Sequence, residues 1–256
     1  MAQGKQPIIV GNWKMYKTIE EALAFFDELI PQVEKVACAV KIAVPFTAIH
    51  PSKNKVRNTH IKIGAQNINE AQEGAFTGEV AAIMVKDAGA DFALVGHSER
   101  RRYFGETNIQ INKKIQRAVE IDLPIVLCVG ETFEDRQAGN TETILQDQIT
   151  ECLHGIAQKK AHLLTIAYEP IWAIGSGTAA TPEVAEEAHL GCRKVMEALF
   201  GADGAHVPIL YGGSVTQDNA ATFLHMPDID GLLVGNASLK SNAFAKICTS
   251  CTIEGI

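Results

Sequence analysis

The chain has 256 residues, 46% hydrophobic and 21% charged, with a formal net charge of −7. That balance supports a large buried core and argues against long disordered stretches. A net negative chain is poorly suited to a nucleic-acid backbone, and no apolar run reaches the length of a membrane span. The polar stretch from Met1 to Pro7 has no apolar leader pattern, so the chain is expected to be soluble, unsecreted and cytoplasmic. Six cysteines, at 38, 128, 152, 192, 248 and 251, then read as reduced and mostly buried. Cys248 and Cys251 form one C-x-x-C, but no second pair of ligands stands beside it for a zinc site. They are expected on one face of the last helix.

Short apolar or β-branched runs alternate with longer amphipathic stretches. The runs are Ile8–Val10, Val40–Val44, Ile61–Ala65, Phe92–Val95, Ile125–Val129, Leu164–Ala167, Val207–Leu210 and Gly231–Val234. Between them lie helical patterns, among them Ile19–Ile30, Asn108–Val119, Thr141–Ile156, Pro182–Phe200 and Leu239–Cys248. The runs show little polar alternation, as expected of strands covered on both faces. Eight such units predict an α/β fold, a closed (β/α)8 barrel, with residues 1–256 as a single catalytic domain. An open doubly wound sheet is the alternative. It would carry a glycine-rich fingerprint after the first strand, where this chain has Gly11-Asn12-Trp13-Lys14.

A barrel places its functional groups just beyond the C-terminal ends of its strands. Asn12 and Lys14 follow the first run, His97-Ser98-Glu99 the fourth and Glu169 the sixth. Gly212-Gly213-Ser214 follows the seventh, and Gly235-Asn236 the eighth. One connection, Gln66 to Glu79, is long and without periodicity. Such loops are usually functional; contact with a second subunit and a mobile surface loop are both open readings.

The chain is organised around Ala167 to Thr178, A-Y-E-P-I-W-A-I-G-S-G-T. Pro170 keeps Glu169 extended, so its carboxylate sits on the last rung of a rigid strand. Pro170, Ile171, Trp172, Ala173, Ile174, Gly175, Ser176, Gly177 and Thr178 read as a lid: an apolar tip between a proline and two flexible glycines. A strand–turn–helix connection with a stray tryptophan is the plainer alternative. Lys14 beside Asn12 offers a cation and an amide at the barrel mouth. His97 opens a helix with Ser98 as a possible cap; near that N-terminus the neutral imidazole is favoured, able to donate one hydrogen bond and accept another. A merely structural capping histidine fits the same residues. The turns Tyr211–Val215 and Gly235–Leu239 expose backbone N–H groups, a setting for phosphate.

Four motifs in this order, G-N-W-K-M, G-H-S-E-R-R, Y-E-P-I-W-A-I-G-S-G-T and Y-G-G-S-V, resemble the triosephosphate isomerase family from Ile8 to about Phe244. The resemblance implies interconversion of dihydroxyacetone phosphate and glyceraldehyde 3-phosphate without cofactor or metal. It implies a homodimer and a place in glycolysis, gluconeogenesis and the pentose shunt. Glu169 matches the general base, His97 the electrophile, and Lys14 the lysine that stabilises enediolate charge. Asn12 matches an amide lining the same pocket, and Glu99 a carboxylate adjoining Lys14. Gly175, Ser214, Gly235 and Asn236 match the phosphate ring, and Asn12 and Lys14 stand beside them as substrate-binding residues. The Gln66–Glu79 loop resembles the dimer loop, with Met15, Gly74, Phe76, Thr77, Gly78 and Glu79 at the interface and Thr77 reaching the partner's Asn12 and Lys14.

The sequence departs from the family pattern in a few places. Ile171 and Ser176 stand where valine and threonine are common, and Thr178 where lysine is frequent. Asn236 replaces the second glycine of the usual pair; asparagine tolerates positive φ, and Asn236 is expected to adopt it. Two other functions compete: a Schiff-base aldolase using Lys14, and a non-catalytic sugar-phosphate binder, against which Glu169 under a lid speaks.

Overall fold

The structure, a computed structural model, describes residues 6–173 and 180–251. In order the chain forms β1 (Ile8–Asn12), α1 (Ile19–Val33), β2 (Ala39–Val44), α2 (Ile49–Val56), β3 (Lys62–Ala65) and α3 (Ala82–Asp87). β4 (Phe92–Val95), α4 (Ser98–Phe104), α5 (Asn108–Glu120), β5 (Ile125–Val129), α6 (Phe133–Gln137) and α7 (Thr141–Cys152) follow. The rest is β6 (Leu164–Tyr168), α8 (Pro182–Phe200), β7 (Ile209–Tyr211), α9 (Ala220–Leu224), β8 (Gly231–Val234) and α10 (Ser241–Thr249). All strands pair in parallel in chain order, and β8 pairs with β1, which closes the barrel. The open-sheet alternative is thereby excluded.

Helix starts follow local chemistry. Thr18 accepts the Glu21 N–H while the Glu21 carboxylate accepts the Thr18 N–H, a reciprocal cap on α1. Thr107 and Gln110 do the same for α5. Thr181 caps α8, with Pro182 in the first turn, where a missing N–H costs nothing. Several expected boundaries shift by one to four residues, among them the end of α7, at Cys152 instead of Ile156, and two have a local cause. The seventh strand begins at Ile209 instead of Val207, because Pro208 has no N–H for the ladder. The last helix begins at Ser241 instead of Leu239, since Asn236–Leu239 forms a separate short helical turn.

Strand alternation divides the apolar residues into two layers. Val10, Ala43, Phe92, Leu94, Val126, Cys128, Ala167, Leu210 and Leu233 fill the barrel interior. Their neighbours Ile9, Ile42, Val95, Leu127, Ile166 and Leu232 pack outward beneath the helices. Both faces are thus dry, which is why the strands read as unbroken apolar runs. Phe92 fits because Gly64 lies against its ring: a Cβ there would stand 2.4 Å from it. Among the described residues no helix is long and apolar enough to cross a membrane.

Candidate active site

Two residues past an inward-facing position, a strand points inward again. Counting on from Val10, Leu94, Cys128, Ala167, Leu210 and Leu233 reaches Asn12, Gly96, Gly130, Glu169, Gly212 and Gly235. On these six of the eight strands the top layer is one amide, one carboxylate and four glycines, which together leave a hollow with two functional groups on those strands.

Glu169 lies in a slot cut by two of those glycines. Its N–H donates to the Val129 carbonyl at 2.7 Å. A Cβ on Gly130 would lie 1.9 Å from the Glu169 carbonyl oxygen, and one on Gly212 2.6 Å from Glu169 Cγ. The carboxylate is buried, with Oε1 3.3 Å from His97 Nε2. His97 follows Gly96, whose φ of +70° turns the chain off β4. It is His97 itself, not Ser98, that caps α4: its Nδ1 accepts the Glu99 N–H at 3.2 Å. That bond leaves the ring proton of a neutral imidazole on Nε2, aimed at Glu169.

Lys14 completes the group. Its Nζ meets Glu99 Oε1 at 2.7 Å, and Glu99 Oε2 lies 3.6 Å from His97 Nδ1. Its backbone has φ of 54°, unusual for a side-chain-bearing residue, and is held by the bond from Lys14 N–H to Asn12 Oδ1 at 3.0 Å. Strain of this kind survives only where neighbours enforce it, and it gathers at functional sites. The next residue but one before it, Asn12, is buried, and between them Trp13 is anchored by its Nε1–H to the Ser238 carbonyl at 3.0 Å.

Burial works to push the Glu169 carboxyl up, but His97 outweighs it, helped by Cys128 and Lys14, and holds it below its ordinary value. The carboxylate is therefore ionised. For His97 burial disfavours a proton, while Glu169 and then Glu99 outweigh burial and raise its affinity for one. With Glu169 facing Nε2 the ring therefore holds a proton more readily than the helix N-terminus alone predicts, and only burial and the Lys14 ammonium work against it. An ionised base, an imidazole N–H and an ammonium around one hollow suit removal of a proton from carbon next to an oxygen that gains charge.

The first part of the expected lid is packed in place. Ile171–Ala173 makes a short helical turn. The Ile171 N–H donates to the Glu131 carbonyl at 3.1 Å, and Trp172 Nε1–H to Glu131 Oε1 at 2.8 Å. Ser214 Oγ donates to the Ala173 carbonyl at 2.7 Å. Ile174, Gly175, Ser176, Gly177 and Thr178 lie outside the described residues. At the far side the Ala180 N–H donates to the Tyr211 hydroxyl at 3.2 Å. Of the expected phosphate ring, Ser214 thus lies against the lid, and Gly235 lies beside Lys14, whose Cε would be 3.6 Å from a Cβ on Gly235. Asn236 corrects an expectation. Itself exposed, it opens the helical turn Asn236–Leu239, and the described non-glycine residues with positive φ are Lys14, Lys17 and Asp122. Asparagine is therefore not needed there for left-handed backbone.

Asn12, Lys14, His97, Glu99 and Glu169 come together, while Gly74, Phe76, Thr77, Gly78 and Glu79 lie on a separate loop. That loop has no helix or strand and is pinned at its base, where Asn69 N–H donates to the Val80 carbonyl at 2.8 Å and Asn69 Nδ2 to Glu79 Oε2 at 2.6 Å. Met15 is 94% and Phe76 53% exposed. Sequence reading passed over Glu131, and it took Tyr211 only as the start of a phosphate turn, without its hydroxyl bond to Ala180. Glu131 is wholly buried and also accepts the Tyr168 hydroxyl at 3.1 Å. The signal was present: Gly130-Glu131 follows the fifth strand as His97 follows the fourth.

The family model described as triosephosphate isomerase matches residues 7–251. A triosephosphate isomerase of Protochlamydia amoebophila is 53% identical over 249 residues, covering 96% of this chain and 94% of the relative. One from Solibacter usitatus is 45% identical over 245 residues, covering 95% and 98%. The crystal structure of triosephosphate isomerase from Bartonella henselae superposes with a TM-score of 0.88 at 34% identity, covering 96% of this chain and 98% of that one.

Proposed function

The chain belongs to the triosephosphate isomerase family, and from that premise we propose how its site carries the reaction. The protein is an isomerase of glycolysis that interconverts dihydroxyacetone phosphate and glyceraldehyde 3-phosphate. Glu169 removes a proton from one carbon and returns it to the next. His97 Nε2–H hydrogen-bonds the substrate oxygens, the pairing of base glutamate and neutral histidine for which this family is the usual illustration. Lys14, paired with Glu99, stabilises the enediolate charge, and Asn12 lines the same wall. An ion-paired Lys14 suits this role better than attack on a carbonyl as a free amine.

Gly175, Ser214, Gly235 and Asn236 hold the phosphate, chiefly through backbone N–H groups. The lid from Pro170 to Thr178 closes over the bound substrate, drawing on the Glu131 anchor at one end and the Tyr211 hydroxyl at the other. Closure excludes water and guards the enediolate against loss of phosphate. The chain acts as one catalytic domain in the cytoplasm. It pairs as a homodimer through Met15, Gly74, Phe76, Thr77, Gly78 and Glu79, which would cover the exposed apolar side chains of Met15 and Phe76.

The observation that carries the catalytic assignment is the buried contact of Glu169 Oε1 with His97 Nε2 at 3.3 Å. Glu169→Asp withdraws the carboxylate by about one methylene, and a displacement of about 1 Å can cost roughly 100-fold. In a coupled assay kcat should fall by at least that order with KM little changed. Near-normal turnover would remove Glu169 from the role.

A further inference from the structure

The run Arg100-Arg101-Arg102 lies in α4, just past the catalytic histidine, and the mechanism above uses none of the three. Two have ordinary fates. Arg100 Nε meets Glu106 Oε1 at 2.5 Å, and Arg102 is exposed, its guanidinium 5.2 Å from the centre of the Tyr103 ring. Arg101 instead turns back over the rim of the barrel. Its Nε donates to the Gly96 carbonyl at 2.8 Å, and its Nη2 to the Cys128 carbonyl at 3.3 Å. Nη1 donates to Asn108 Oδ1 at 2.5 Å, and Asn108 Nδ2 in turn to Glu151 Oε2 at 2.9 Å. Among the described residues the acceptors of Arg101 are two main-chain carbonyls, an amide and the Cys152 sulfur, and none is a carboxylate. A half-buried guanidinium is ordinarily spent on an acid; this one is spent on the ends of two strands.

The place of those two carbonyls defines what the fork does. β4 and β5 pair as far as Val95 and Leu127, and the ladder stops there. Gly96 then turns the chain off β4 with φ of +70°. The guanidinium bridges the next rung, Gly96 to Cys128, with its own N–H groups. Glycine leaves room for it: a Cβ on Gly96 would stand 3.2 Å from Arg101 Nη2 and 3.3 Å from the Cys128 carbonyl oxygen. Each end of this rung leads to a functional side chain. Gly96 immediately precedes His97. Cys128 immediately precedes Val129, whose carbonyl accepts the Glu169 N–H at 2.7 Å. The helix that carries Arg101 is itself capped by His97, and the Arg101 N–H donates to the His97 carbonyl at 3.2 Å.

We propose that Arg101 is a positioning residue of the isomerase site, which sets His97 Nε2 against Glu169 by clamping the end of β4 to the end of β5. The proposal rests on the roles given above to His97 and Glu169. Arg101 bonds to the main chain beside them and to neither side chain. Pairing between β4 and β5 ends one residue too early to fix Gly96, so without the clamp the imidazole gains freedom relative to the carboxylate. The planar fork is what this task requires. A lysine ammonium is a point charge on a flexible stem, with no fixed spread of donors to hold two carbonyls together.

The test uses the full chain in the coupled isomerase assay, beside a thermal melt. Arg101→Lys keeps the charge and loses the fork. It should lower kcat roughly tenfold with KM within about twofold, the pattern of a lost alignment in the transition state. Asn108→Ala leaves Arg101 in place but frees the far side of its guanidinium, and should lower kcat in the same sense by a smaller factor. It takes the place of Arg101→Lys in every comparison if the melt shows that Arg101→Lys does not fold. The readout that separates positioning from a general loss of structure is a double-variant cycle with His97. In a His97→Gln background there is no imidazole left to align, so adding Arg101→Lys should cost less than about threefold more. Wild-type kcat in Arg101→Lys, a raised KM with kcat unchanged, or losses that multiply in the double variant would overturn the proposal. Normal turnover in His97→Gln alone would instead overturn the catalytic reading on which it rests.

Discussion

At the residue scale the site depends on what is missing as much as on what is present. Glu169 reaches His97 because Gly130 and Gly212 leave room on either side of it. A methyl group at Gly212 would stand 2.6 Å from Glu169 Cγ, closer than side chains tolerate, so the carboxylate must give way. Gly212→Ala should therefore lower kcat about 100-fold, the usual result of a displacement near 1 Å, with KM and unfolding temperature almost unchanged. Steady-state kinetics beside a thermal melt separates this from a folding defect; a fully active variant would mean that Glu169 works from another position. Glu169 and Lys14 were legible in the sequence because charged residues at strand ends stand out against apolar runs. The glycine slot was not, since a glycine's neighbours across the sheet depend on strand register.

At the element scale two features of the loop between β3 and α3 matter. The first is its apolar tip. If the homodimer forms there, a charge at Ala75 or Phe76 would be buried against the partner without an opposite charge. Sedimentation of such variants should show a monomer of low activity, whereas an intact active dimer would place the interface elsewhere. The second lies beneath the loop. Lys114 is buried and its ammonium meets Glu106 Oε1 at 2.5 Å and Asn67 Oδ1 at 2.8 Å, while Arg100 Nε meets the same Glu106 oxygen at 2.5 Å. Burial alone pulls the Lys114 ammonium downward, and the Glu106 carboxylate supports its charge. Glu106→Ala leaves a buried cation without its partner, a change that costs about 3–5 kcal/mol. Urea unfolding should show that loss; a drop below about 1 kcal/mol, typical of an exposed pair, would show that the network is solvated. Asn67, Glu106 and Lys114 are scattered in sequence, and no local pattern joins them.

At the scale of the whole molecule, acid stability turns on His189. It sits in α8 beneath Tyr168 and Tyr211, fully buried, with Nδ1–H donating to the Ala185 carbonyl at 2.7 Å. Burial pushes its pKa down to about 4. An unfolded histidine titrates near 6.5, so between about 6.5 and 4 the unfolded chain binds a proton that the folded one refuses. Stability therefore falls as pH falls through that window, by about 3 kcal/mol from this group when the acid end is reached. His189→Asn removes the titration. In urea unfolding at neutral and acid pH, the wild type should lose more stability than the variant by roughly that amount; parallel losses would mean that His189 does not control the slope. What the sequence determined by itself was periodic and local: eight apolar runs, the helical patterns between them, and the polar residues at strand ends that imply a barrel with its chemistry at one rim. Those signals survive because strand and helix periodicity act between neighbours in the chain. Only the tertiary structure decided the rest. It put His97 in place of Ser98 as the cap, took Asn236 out of the left-handed region, and set Glu131 under Trp172. It also brought the Cys38 thiol to the Cys248 carbonyl across more than two hundred residues. The first two are settled by backbone geometry within a few residues, whereas the long-range contacts depend on the register of a closed sheet, and closure is a property of all eight strands together.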